Sequence, residues 1–205
     1  MIDHYGYKRE NRLIVFLVAI VLVLIIGFSG IGVHRYLSES KNAGEIKTAA
    51  GIETKHARHI ESLVASNDIS PGQYWIRVRK SDFILELYKG KDLEKQFPIA
   101  VGAVTGNKIA PGDDRTPEGV FTVKQIQDSK YWVHDFGDGN GPVEGAYGPF
   151  FIRLDTGWEG IGIHGTHNPS SVGSNITAGC IRMLNDDLRE VVGNIGEGSV
   201  VVIEK

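Results

Sequence analysis

Tyr74-Trp75-Ile76-Arg77-Val78-Arg79 and, three residues further on, Phe83-Ile84-Leu85-Glu86-Leu87-Tyr88 decide the reading of the chain. Both runs alternate with period two and are rich in aromatic and β-branched residues, which is how a half-buried strand reads. Lys89-Gly90-Lys91-Asp92 follows with turn chemistry, so the second run should fold back into a strand near Phe97–Val101. Working outward, similar strands are legible at Val120–Val123, Phe150–Leu154, Gly160–His164 and Val200–Ile203. One helix is clear: Asn185-Asp186-Asp187 offers caps, and Leu188, Val191, Val192 and Ile195 follow at helical spacing. Residues 73–205 are thus expected to form one β-rich, sandwich- or barrel-like domain with one or two short helices. That length buries roughly two-thirds of its unfolded surface.

Upstream the texture changes. Leu13–Val33 is a long apolar run and carries no charge. At 1.5 Å per residue it spans roughly 31 Å, the depth of a bilayer's hydrocarbon core. It is too long for a signal peptide's apolar region and has no cleavage signal behind it, so an uncleaved transmembrane helix is expected. Lys8, Arg9 and Arg12 precede it, while Arg35, Lys41 and Lys47 follow, so the charge asymmetry that sets orientation is slight. By default residues 1–12 stay in the cytoplasm and the long C-terminal part lies outside. Residues 34–72 are polar, with a weak helical period in Ile46, Ile60, Leu63 and Val64, and read as a partly helical stalk.

Composition narrows the partners. Among 205 residues, Lys+Arg number 22 against 25 Asp+Glu, a net charge of −3 that gives nothing to grip a phosphate backbone; nucleic acid is excluded as a partner. The chain has one cysteine, Cys180, so there is no internal disulfide and no multi-cysteine zinc site. The thiol is inert, catalytic or intermolecular.

The chemistry concentrates in Ile163-His164-Gly165-Thr166-His167-Asn168 and Thr177-Ala178-Gly179-Cys180-Ile181-Arg182-Met183. A thiol attacks as thiolate, and near pKa 8.5 it is mostly protonated at neutral pH. A histidine that accepts or balances the proton is the usual remedy, and His164 is the nearby candidate. Glycine before the cysteine permits a tight turn in which the Gly179 and Cys180 amides face a developing oxyanion. From spacing alone, a lone cysteine beside glycine is equally a small buried hydrophobe. Arg182 shares the nucleophile's face on an extended segment. It serves either the thiolate or a substrate carboxylate, or it makes a structural ion pair with Asp186 or Asp187.

These residues resemble a known family. Ile163-His164-Gly165-Thr166 followed by Gly179-Cys180-Ile181-Arg182-Met183 is similar to the signature of the L,D-transpeptidase catalytic domain, the YkuD type. The resemblance extends through Gln96–Gly102, Thr116–Phe121, Ala146–Pro149 and Gly198–Ile203. It implies a cysteine enzyme acting on peptidoglycan stem peptides without a cofactor. Cys180 would be the nucleophile and His164 the general base and later acid. The Gly165 carbonyl would orient the imidazole, and the Gly179 and Cys180 amides would form the oxyanion hole. Arg182, Thr166 and His167 are then candidates for substrate contact. Many members carry a second histidine where this chain has Ala178, and His167 is a conceivable substitute or a solvated loop residue.

The implied reaction attacks the diaminopimelate L-centre carbonyl of a tetrapeptide stem, releases D-Ala, and passes the acyl group to a neighbouring stem's amine or to water. Other readings are a silent anchored wall-binding module and a sortase, although the Thr-Leu-x-Thr-Cys run of sortases is missing. A zinc site of His164, His167 and Cys180 is also formally open.

Overall fold

The computed structural model describes residues 51–136, 139 and 141–205. The apolar run at 13–33 and the first part of the expected stalk lie outside them. Among the described residues no helix is long and apolar enough to cross a membrane. The chain divides into two units, 1–59 and 60–205. A helix, α1, covers residues 51–66, and its turns from Ile60 onward belong to the second unit.

In that unit the alternating runs become β1 (Tyr74–Arg79) and β2 (Ile84–Lys89), paired antiparallel. Gly90 at φ 57 makes the expected turn into β3 (Asp92–Gly102). The sheet continues with β4 (Gly119–Asp128), β7 (Phe150–Leu154), β8 (Gly162–His164), β9 (Asn175–Thr177), β10 (Ile181–Met183) and β11 (Val200–Glu204). Its order is β10-β8-β7-β4-β11-β1-β2-β3-β9, and β10 also pairs with β3, which closes the sheet on itself as a barrel. A separate hairpin joins β5 (Val133–His134) to β6 (Val143–Glu144). The interior is filled by one side of each alternation, including Ile76, Val78, Leu85, Ile99, Ile163 and Ile181, each no more than 0% exposed.

Two sequence expectations are corrected here. The strand expected from Gly160 begins at Gly162, because Gly160 takes a positive φ of 76, which is not an extended conformation. The helix α2 (Asn185–Val192) is capped by Leu184 and has no side-chain cap hydrogen bond, since Asn185 is used elsewhere.

The other side of β1, β2 and β11 carries a buried ion-pair network, Arg77 with Glu86 at 3.1 Å and Glu204 at 2.7 Å, beside an apolar patch of Trp75, Tyr88, Val200 and Val202 that must be covered. Trp75 stacks on Tyr88 at 4.8 Å, and its Nε1 donates to the Gly90 carbonyl at 2.8 Å. Ile60, Leu63, Val64 and Ile69 complete this second cluster with Val200 and Val202. The segment read as stalk therefore packs on the barrel from Ile60 onward. Ile60 is 3% exposed, so Ile60→Ala is expected to cost about 2–4 kcal/mol in urea denaturation. An unchanged midpoint would mean that these turns do not dock in solution. A chain trimmed to begin at Gln73 would leave Trp75 and Tyr88 uncovered.

Candidate active site

β8 and β10 run parallel and side by side, with Arg182 opposite His164 and Ile181 opposite Ile163. Cys180 precedes β10 and falls level with Gly162, so it stands two positions back from His164 on the neighbouring strand. Strand spacing and rise put such Cα atoms roughly 8 Å apart, a gap that an imidazole and a thiol can bridge. Side chains two apart share a face, and Cys180, His164 and Arg182 all line one cavity of about 820 Å³. His134, Tyr147 and Lys108 also line it.

The turns hold these groups in place. His164 Nδ1 donates to the Gly165 carbonyl at 2.7 Å, which leaves Nε2 as the basic nitrogen. The same peptide unit carries the Thr166 N–H, which donates to Asn185 Oδ1 at 2.8 Å. Asn185 thus fixes the carbonyl that orients the imidazole. A Cβ at Gly148 or Gly165 would collide with that Oδ1, so both positions need glycine. At the cysteine turn, Thr177 Oγ1 donates to the Cys180 carbonyl at 2.5 Å and accepts from the Gly179 N–H at 3.2 Å. Gly179 sits at φ 122, and a Cβ there would lie 2.8 Å from the Arg115 carbonyl oxygen. The expectation that the Gly179 amide faces an oxyanion is therefore corrected: its hydrogen goes to Thr177.

Burial governs the resting protonation. It pushes the Cys180 thiol up, against the opposing pull of the Gly162 N–H and of the cations Arg182, Arg153 and Lys108. The thiol keeps its proton, and Sγ donates to the Gly160 carbonyl at 3.1 Å. Burial also pushes His164 down to about 4; the Gly165 carbonyl opposes this, while Arg182 and His134 add to it. At neutral pH the pair is a neutral thiol beside a neutral imidazole.

The His164 shift has a consequence for stability. Unfolded, the residue binds a proton near pH 6.5; folded, near 4. Between those values only the unfolded chain is protonated, so stability falls as pH drops from 6.5 and levels off near 4. The loss approaches about 3 kcal/mol. Urea midpoints at pH 7 and 4.5 should converge in His164→Gln relative to the unsubstituted chain. Equal acid sensitivity in both would refute the assignment.

Arg182 is 7% exposed, and among the described residues no carboxylate pairs with it. Nη1 donates to Ser171 Oγ at 3.0 Å, and Nε has no partner. The alternative of an ion pair with Asp186 is excluded, since Asp186 binds Arg189 at 2.6 Å. Thr166 and His167, expected at the substrate, do not line the cavity. The Thr166 hydroxyl donates to the Asn168 carbonyl at 3.1 Å within its own turn. His167 is exposed, with Nδ1 3.4 Å from the Ala146 carbonyl. No group of three metal-binding side chains exists among the described residues. Sequence reasoning missed Asn185, Thr177, Tyr147 and His134. Only Asn185 carried any signal, as a polar residue at a helix start.

Residues 73–203 match the family model of the L,D-transpeptidase catalytic domain, YkuD. The chain belongs to this family. Two of its relatives are the L,D-transpeptidase-family proteins YkuD of Bacillus licheniformis and YqjB of Bacillus subtilis. The first is 32% identical over 130 residues, 63% of this chain and 65% of the relative. The second is 32% identical over 136 residues, 65% of this chain and 72% of the relative. The chain thus spans slightly less than two-thirds of the Bacillus licheniformis protein. The solved catalytic domain of the E. faecium L,D-transpeptidase is 22% identical, covering 65% of this chain and 98% of that one with a TM-score of 0.48. The β-rich barrel with two helices accords with the L,D-transpeptidase domain read from the sequence.

Proposed function

We propose that the chain is a peptidoglycan L,D-transpeptidase with Cys180 as nucleophile and His164 as its general base and acid. The observation that carries this reading is the shared cavity: it holds the only thiol beside an imidazole whose Nδ1 is pinned 2.7 Å from the Gly165 carbonyl. A pinned Nδ1–H turns Nε2 into the acceptor for the thiol proton.

The reaction then runs in two halves. His164 takes the Cys180 proton as sulfur attacks the L-centre carbonyl of diaminopimelate in a tetrapeptide stem. The Cys180 amide stabilises the oxyanion, and D-Ala leaves with the proton from His164. An amine of a neighbouring stem resolves the thioester into a 3→3 cross-link; water in its place gives carboxypeptidase activity. Arg182, buried and without a carboxylate partner among the described residues, supports the reading by offering an anionic stem group a charged fork. Residues 13–33 would anchor the chain in the cell membrane, leaving the domain outside the cytoplasm, where mature stem peptides are.

The test is incubation with disaccharide-tetrapeptide and mass spectrometry of the products. A dimer lacking one D-Ala marks transpeptidation, and a tripeptide marks hydrolysis. Unchanged substrate in the presence of folded protein would sink the proposal.

A further inference from the structure

We propose that His134 is a second base in the same cavity and takes the proton of the incoming acceptor amine, a role distinct from that of His164. The inference rests on the transpeptidase reading above and adds a residue and a division of labour to it.

His134 ends β5, and the hairpin brings it to the cavity that His164 and Cys180 also line. It is half-buried and lines the cavity. No described residue hydrogen-bonds its ring nitrogens. The ring packs edge-on to Phe136 at 4.6 Å and lies 5.4 Å from the Tyr147 ring, which in turn meets His164 edge-on at 4.9 Å. One aromatic ring thus separates the two imidazoles, and charge on His134 is felt at His164. The polar groups around it are Tyr147, His164 on β8, and Arg182 on β10, the last 6.0 Å from the Phe136 ring; the His167 ring lies 5.0 Å from that of Phe136, and Asp135 is the exposed chain neighbour of His134. The ammonium of Lys108 and the guanidinium of Arg182 offer donors and no acceptor. An imidazole whose ring nitrogens have no hydrogen-bond partner among the described residues is free to take a proton there.

The chemistry calls for such a group. A side-chain amine near pKa 10.4 is neutral in only roughly one molecule of 2,500 at pH 7. Aminolysis by the ammonium form releases two protons. His134 removes the first and passes it to solvent. The freed lone pair forms the C–N bond at the thioester carbonyl, and the C–S bond breaks as the oxyanion collapses. His164 carries the second N–H proton to the departing sulfur, restoring the thiol. Water as acceptor needs only His164, because water arrives uncharged. His134 should therefore set the partition between amide and hydrolysis products while leaving acylation alone.

The experiment compares the full chain with its His134→Gln variant on disaccharide-tetrapeptide, reading dimer against tripeptide by mass spectrometry and acylation by stopped flow. Expected at pH 7 is an amide-to-hydrolysis ratio about 100-fold lower, with the acylation rate changed by less than about twofold. Hydroxylamine, already neutral at that pH, should be used equally well by both proteins, and the difference for the stem amine should close as pH approaches its own pKa. An unchanged ratio would overturn the inference while leaving the transpeptidase reading intact. Equal losses in acylation, hydrolysis and hydroxylamine transfer would make His134 structural and overturn it as well. If neither protein consumes substrate, the reading of the site itself fails.

Discussion

Cys180→Ala is expected to lower turnover at least about a thousand-fold, as loss of a nucleophile that works with a base removes nearly all chemistry beyond binding. The chain has no second thiol to take over. Thr177, the hydroxyl nearest in sequence, is committed to the Cys180 carbonyl and the Gly179 N–H. Alanine is close to cysteine in size, and the position is half-buried, so stability should change by about 1 kcal/mol or less. That separates loss of chemistry from loss of fold, which circular dichroism and a denaturation midpoint would check. A carbapenem supplies the covalent readout, because its strained carbonyl offers an acyl group to the thiolate. Intact-mass analysis should show one adduct on the unsubstituted chain and none on the variant. Residual turnover above a few percent, or an adduct on the variant, would place the nucleophile elsewhere.

The frame of the barrel is legible where strands are long enough to show their period. Tyr74–Arg79 and the run ending at Tyr88 announce themselves by alternation, and Leu188, Val191 and Ile195 announce α2. What is hidden is short. β10 has three residues and β5 has two, too few to display any period, yet β10 closes the barrel and β5 brings His134 to the site. The outer apolar face was legible only in part. Trp75 and Tyr88 sit at alternate positions, but nothing local says that Ile60 and Ile69 cover them. At the site, His164 and Cys180 stand out because glycine turns flank both. Asn185 misleads, since the polar side chain at a helix start that usually caps its own helix here reaches back to the Thr166 amide. The missing histidine at Ala178 draws attention to His167, three residues from His164. The β5–β6 hairpin instead supplies another cavity-lining imidazole from thirty residues upstream, a proximity created wholly by tertiary structure.

His164→Ala should lower acylation at least about 100-fold, the lower end for a lost general acid–base group, while His167→Ala should cost under about tenfold. The two residues differ in how firmly they are held and in what they face. His164 is 3% exposed, stacked on Phe151 at 5.6 Å and 7°, with Tyr147 edge-on and Nδ1 fixed by Gly165. A base held by packing on two sides and one hydrogen bond presents Nε2 to the cavity without reorganisation. His167 is exposed, off the cavity, and among the described residues is held by the Phe136 ring at 5.0 Å and a long contact to Ala146. His164→Gln serves as the companion variant, because it fills the volume that alanine would leave empty and can still hydrogen-bond Gly165. It cannot accept the thiol proton, so it should lose acylation as severely while remaining folded. The pH profile adds an independent check. With its pKa pushed down to about 4, His164 stays a free base through the range where an ordinary histidine would protonate. Carbapenem acylation by the unsubstituted chain should therefore hold steady from pH 8 down to about 5.5 and fall only as pH approaches 4. An acid limb centred near 6.5, together with a larger loss in His167→Ala than in His164→Ala, would transfer the role of base to His167.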